Sequence, residues 1–126
     1  MLVIALPSDG EGGLNETLSL RFGRCDNITI VTIEKENIEA VKVIPIQKNK
    51  ALGNLGIFVT NIIKENRVSD VIVRFIGSKA YKALSSGNVK ISQTSEKHLI
   101  IKECIALFTQ GKIQVLKEPN AHLIEE

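Results

Sequence analysis

Tryptophan is absent from the 126 residues, and the only aromatics are four Phe and one Tyr. The core therefore has to be packed from aliphatic side chains. Cysteine is also scarce, with only Cys25 and Cys104. Two thiols cannot make a disulfide framework, which points to a reducing, cytoplasmic setting. No apolar run approaches the roughly 20 residues that a membrane-spanning helix needs. The apolar start, residues 1–7, is too short for a signal peptide and has no basic leader, so it reads as a first strand. Charge of one sign is lacking too: the formal net charge is +2, and no basic stretch carries interleaved aromatics, which excludes an obvious nucleic-acid surface. Neither a Ser–His–acid set nor a Walker-type lysine loop can be assembled, so acyl and phosphoryl transfer have no support.

What is present fits one domain. A chain of 126 residues with 44% hydrophobic and 24% charged residues is large enough for a single core flanked by helices. Leu2 to Leu6 is a continuous apolar run stopped by Pro7 to Gly10, the pattern of a strand buried on both faces. Alternation from Ile28 to Ile33, a short polar connection and a second run from about Ile38 to Ile44 predict an antiparallel hairpin. Apolar spacing from Leu55 to Asn66 predicts a helix that stops at a left-handed Asn66. Val68 to Ile76 reads as a strand with Arg74 near its tip, Ser78 to Ser86 as a helix between Gly77 and Gly87, and Val89 to Ile91 as a short strand. A third helix is expected to start at Thr94 or Ser95, with Glu96 in its first turn and an apolar face including Cys104, and to end at Gly111. The segment after Lys112, broken by Pro119, is either an added strand or a mobile end.

This order demands helices packed on a partly parallel sheet. In such sheets ligands gather outside the carboxyl ends of the strands. Three features project there: the loop after the first strand, the glycines before the first helix, and Arg74 to Gly77. They should converge on one crevice. The loop carries Ser19, Arg21, Phe22, Gly23, Arg24 and Cys25. Its arginines are permanently charged donor forks suited to oxyanions, its glycine permits a positive φ or close ligand approach, and Phe22 can pin it to the domain. Cys25 offers a thiol whose pKa the two cations would lower, and it is the better candidate metal ligand of the two cysteines. Cys104 reads as a core thiol, and His98 and His122 as surface residues. A lone thiolate cannot close a zinc site, so Cys25 would at most anchor one edge of a preformed cluster.

With these residues in hand, the chain resembles the dinitrogenase iron-molybdenum cofactor biosynthesis family. The opening Val3-Ile4-Ala5-Leu6-Pro7-Ser8-Asp9-Gly10 and the loop Ser19-Leu20-Arg21-Phe22-Gly23-Arg24 are similar to that family's first strand and its Ser-x-Arg-Phe-Gly-Arg loop. Ala51-Leu52-Gly53-Asn54-Leu55-Gly56-Ile57 resembles its glycine-rich helix start, and Ile76-Gly77-Ser78-Lys79-Ala80 its Ile-Gly-Pro-x-Ala segment. The likeness runs over residues 1 to about 112, leaving 113–126 as a C-terminal extension. It implies a three-layer ribonuclease H-like α/β fold with a five-stranded mixed sheet. It further implies a carrier, not an enzyme, for iron-molybdenum cofactor, its precursors or a related sulfur-bridged cluster, with cluster donor or acceptor proteins as partners. Taken with the residues' own chemistry, the candidate cluster contacts are Ser19, Arg21, Phe22, Gly23, Arg24, Gly53, Asn54, Gly56, Arg74 and Gly77, with Cys25 as the candidate metal ligand.

The chain departs from the family at Arg74 and Phe75, where relatives have Gly and Asn, and at Asn54, Leu55 and Ser78. Arg74 and Phe75 would either add a third cation or plug the pocket, and the second case describes a regulatory or interaction module. A nuclease on such a fold needs carboxylates to hold two metals. The first strand has none, Asp9 lies beyond it, and Asp70 begins its strand at the other end.

Overall fold

The computed structural model describes residues 1–46 and 55–124. Its elements run β1 (Leu2–Ser8), β2 (Asn27–Glu34), β3 (Asn37–Pro45), α1 (Leu55–Glu65), β4 (Asp70–Val73), α2 (Ser78–Ser86), β5 (Lys90–Gln93), α3 (Ile101–Thr109) and β6 (Gln114–Val115), followed by a 3-10 turn at Ala121–Leu123. The strands form one mixed sheet in the order β3-β2-β1-β4-β5-β6. β1, β4 and β5 are parallel, whereas β2, β3 and β6 are joined antiparallel. The sheet thus has six strands where five were expected. The sixth is only two residues long, too short for any periodicity to reveal, and exists because Ser92 and Gln93 offer it an edge.

Alternation along the strands divides the apolar residues between two faces. Ala5, Ile28, Ile30, Val71, Val73 and Ile91 lie on one face and pack against Val59, Ile62 and Ile63 of α1 and Leu84 of α2. Ile4, Leu6, Val31, Ile33 and Ile72 lie on the other and pack against Ile101, Cys104 and Ile105 of α3. Three layers result, and burial on both faces explains why the central strands read as unbroken apolar runs.

Local chemistry sets most element ends. Lys35 and Glu36 join β2 to β3 with φ of 50° and 70°, the paired left-handed geometry that a two-residue hairpin turn requires. Gly77 and Gly87 bracket α2 as N-cap and C-cap. After α1, the left-handed residue is Arg67, φ 56°, and not Asn66. Val68 N–H reaches back to Ile63 O and Arg67 N–H to Lys64 O, a Schellman ending. Asn66 instead uses its side-chain amide to donate to Ile62 O at 2.8 Å. β1 also continues through Pro7 and Ser8, because the following loop supplies partners: Ser19 N–H donates to Pro7 O and Asp26 N–H to Ser8 O.

The third helix departs most from expectation, beginning at Ile101 and not near Thr94. Thr17 and Ile100 form an antiparallel bridge, and Leu18 N–H and Ile101 N–H bond to Leu99 O and Glu16 O at 2.8 Å each. That pairing holds residues 99–100 extended, so the helix cannot form until Ile101. The Glu103 carboxylate then accepts the Ile100 N–H at 3.0 Å, the returning half of a capping box.

Candidate functional site

The loop between β1 and β2 is the longest described connection, and it is fastened along its length. Asp9 N–H donates to Thr17 O and Gly12 N–H to Asp9 O. Gly10 N–H donates to the Asp26 carboxylate at 2.8 Å, and Gly13 N–H to the Thr29 hydroxyl at 3.0 Å. Beneath it, the fully buried Ser8 hydroxyl bonds to Asn27 and Thr29, so the polar floor is satisfied. A loop tied at so many points presents its side chains in a fixed arrangement.

Its second half meets the tip of β4. Arg21 and Phe75 form a parallel bridge, and Phe22 N–H donates to Phe75 O at 2.9 Å. Phe22 is 6% exposed and belongs to the core that α1 and α2 cover. Ser19 is buried. Arg21 stands half-buried with contacts of its own, and Arg24 is exposed. Gly23 adopts φ 91° with open space where a Cβ would stand, so backbone conformation, not crowding, demands glycine there. Gly23→Ala is expected to cost about 1 kcal/mol from left-handed strain alone, read as a lower urea midpoint at unchanged slope.

Across the bridge, Arg74 is half-buried. Its guanidinium carbon lies 5.7 Å from the centre of the Phe75 ring, and its Nε is buried without a hydrogen-bond partner. Gly77 caps α2 and, having no side chain, makes no side-chain bond to the first-turn amides. Two of the three features expected to converge thus do so. Of the third, Gly53 and Asn54 lie outside the described residues, and Gly56 is the second residue of α1.

Cys25 corrects the expectation of an activated thiol. It is 1% exposed among Phe22, Ile28, Ile46 and Ile76. Burial pushes its pKa from 9.0 up to about 11, with smaller lowering by backbone hydrogen bonds and smaller raising by Asp9 and Asp26. Burial likewise pushes Cys104 up to about 12, aided by Glu103. Desolvation disfavours the thiolate more than the backbone hydrogen bonds can favour it. Because the folded pKa values exceed the unshifted 9.0, the contribution of both thiols to stability is fully present below about pH 9. That contribution is lost as pH rises toward 11 and 12. Native protein at pH 8 is therefore expected to react slowly with a thiol reagent and rapidly at both cysteines in denaturant. Its urea midpoint should fall steadily above pH 9.

Among the described residues, no three His, Cys, Asp or Glu side chains are grouped to hold a metal ion. No described helix is long and apolar enough to cross a membrane. What the site offers is guanidinium groups, backbone N–H groups and a helix N-terminus, a donor set for an anion. Sequence reasoning passed over Asn120, which is 3% exposed and bonded to the backbone of Arg74 and Ile76. One polar residue in a short segment after a proline carries no periodic signal.

Comparison with known proteins agrees with this architecture. An uncharacterized protein of Methanocaldococcus jannaschii is 32% identical over 114 residues, covering 90% of this chain and 91% of its own. The orange protein of Desulfovibrio gigas, solved in its apo form, superposes with a TM-score of 0.83 at 23% identity, over 95% of this chain and 97% of its own. A Thermotoga protein described as a candidate NifB protein superposes at 0.78 with 26% identity, over 95% and 97%. The sequence pattern of the dinitrogenase iron-molybdenum cofactor family matches residues 1–111, and the chain belongs to that family.

Proposed function

We propose that this protein is a carrier, not a catalyst, whose cargo is an anionic sulfur-bridged metal cluster, iron-molybdenum cofactor or a relative, passed between donor and acceptor proteins. The observation that carries the reading is the stitching of the Arg21–Arg24 loop to the Arg74–Gly77 strand tip through Phe22 and Phe75. That stitching joins the segment carrying Arg21 and Arg24 to the one carrying Arg74 and the start of α2, and the carboxyl ends of the strands are where ligands of such folds bind. The family supports the same class of cargo. We read the sheet and its two helical layers as the ribonuclease H-like fold, with residues 1–112 as its single cofactor-binding domain. The donor set suits a cluster that arrives assembled and is held by charge and hydrogen bonds. Cys25 would contribute a ligand only if its surroundings opened.

The test is anaerobic reconstitution with iron, molybdate or copper plus sulfide, followed by desalting, metal analysis and visible absorption, with Cys25→Ala in parallel. Retained metal with charge-transfer bands is the expected result, and a colourless, metal-free protein overturns it. Equal retention by Cys25→Ala removes the thiol from the cluster's ligands.

The stacking of Arg74 on Phe75 favours one second reading, in which these side chains plug the crevice and the domain acts as a regulatory or interaction module. An Arg74→Gly, Phe75→Asn variant would then gain anion uptake that the parent lacks.

A further inference from the structure

The family match ends at residue 111, yet the chain beyond it is built into the candidate site. β6 pairs with β5, Leu116 N–H donates to Ile91 O at 2.8 Å, and the Tyr81 hydroxyl donates to Leu116 O at 3.0 Å. The chain then reaches the tip of β4. The Asn120 side-chain amide donates from Nδ2 to Arg74 O at 2.9 Å, and its Oδ1 accepts Ile76 N–H at 2.8 Å. Asn120 N–H and Ala121 N–H both donate to Ile76 O at 3.1 Å. These partners fix the orientation of the amide, since a carbonyl requires a donor and an N–H an acceptor.

Regular pairing of β4 stops at Val73. Beyond it, residues 74–76 are held on one edge by Phe22 and on the other by Asn120 and Ala121. That backbone sets where the Arg74 guanidinium stands, 5.7 Å from the centre of the Phe75 ring with its Nε enclosed.

We infer that Asn120 is a positioning residue for the cargo site, holding Arg74 and the Gly77 start of α2 in one geometry, so that the segment after the family match completes the site. This rests on the carrier reading above. Asn120→Asp keeps an acceptor for Ile76 N–H but cannot donate to Arg74 O, and because it also adds a negative charge that repels an anion directly, the neutral Asn120→Ser is run beside it.

The experiment is a double-mutant cycle on the full chain, measuring tetrathiomolybdate binding anaerobically by its charge-transfer absorption, with urea unfolding of every variant as a control. Asn120→Asp is expected to weaken binding about tenfold, the loss of roughly one hydrogen bond's worth of positioning. In an Arg74→Gln background the same change should have less than about a twofold effect, because it acts through Arg74. A merely structural Asn120 predicts equal effects in both backgrounds, and that result overturns the inference. If Asn120→Asp fails to fold, Asn120→Ser alone decides by the same criterion. Wild-type protein that binds no tetrathiomolybdate overturns the carrier reading and the inference together. Wild-type binding matched by the Asn120 variants overturns the inference alone.

Discussion

Replacing Arg21 and Arg24 together by alanine is expected to weaken tetrathiomolybdate binding by roughly a hundredfold or more and to abolish retention of a reconstituted cluster. Hydrogen bonds to charged groups contribute about 1.5–3 kcal/mol each. Two lost together exceed about 3 kcal/mol, and each 1.4 kcal/mol is a factor of ten. Stability should change little, within about 1 kcal/mol in urea, because Arg24 is exposed and Arg21 half-exposed. Added salt should weaken the parent's binding and have less effect on the variant, since exposed charges are screened over about 10 Å at 0.1 M. Binding by the double variant within twofold of the parent would remove both arginines from the site and leave Arg74 and the start of α2 as the anchors.

How far the site could be read from sequence follows from the range of the forces that build it. The loop 19–25 stood out because two arginines, a glycine and an aromatic side chain in a connection have few other uses. α2 is legible because Gly77 and Gly87 mark its ends locally, and the β2–β3 hairpin because two β-branched apolar runs flank a short polar connection. What stayed hidden was decided by contacts between distant segments. The start of α3 is set by Thr17 pairing with Ile100, and nothing near Thr94 signals that interruption. The left-handed stop after α1 falls on Arg67, although asparagine is the commoner choice. β6 and Asn120 have meaning only beside β5 and the tip of β4. Cys25 was misjudged because sequence proximity to two arginines says nothing of burial, and burial dominates its pKa.

Phe22→Ala is the single change expected to cost the most stability, about 3–5 kcal/mol, the range for truncating a buried Phe. Phe22 is 6% exposed and packs in the same cluster as Cys25, Val59, Ile63 and Ile76. Against the roughly 5–15 kcal/mol that stabilises a typical domain, a loss of that size is about a fifth of the total or more, and urea unfolding would read it directly. The functional effect is coupled to it. Phe22 lies between Arg21 and Gly23, and its N–H makes the bond to Phe75 O that joins the loop to the β4 tip, so losing its anchor frees both arginines from fixed positions. Phe22→Leu separates the two effects: it keeps most of the buried volume and should cost less than about 1.5 kcal/mol, with cargo affinity near the parent's. A Phe22→Ala variant that loses under about 1 kcal/mol would mean that the loop rests on the domain without being part of its core. The arrangement of Arg21 and Arg24 would then have to come from the backbone bonds that tie the loop down, among them Ser19 to Pro7, Phe22 to Phe75 and Asp26 to Ser8.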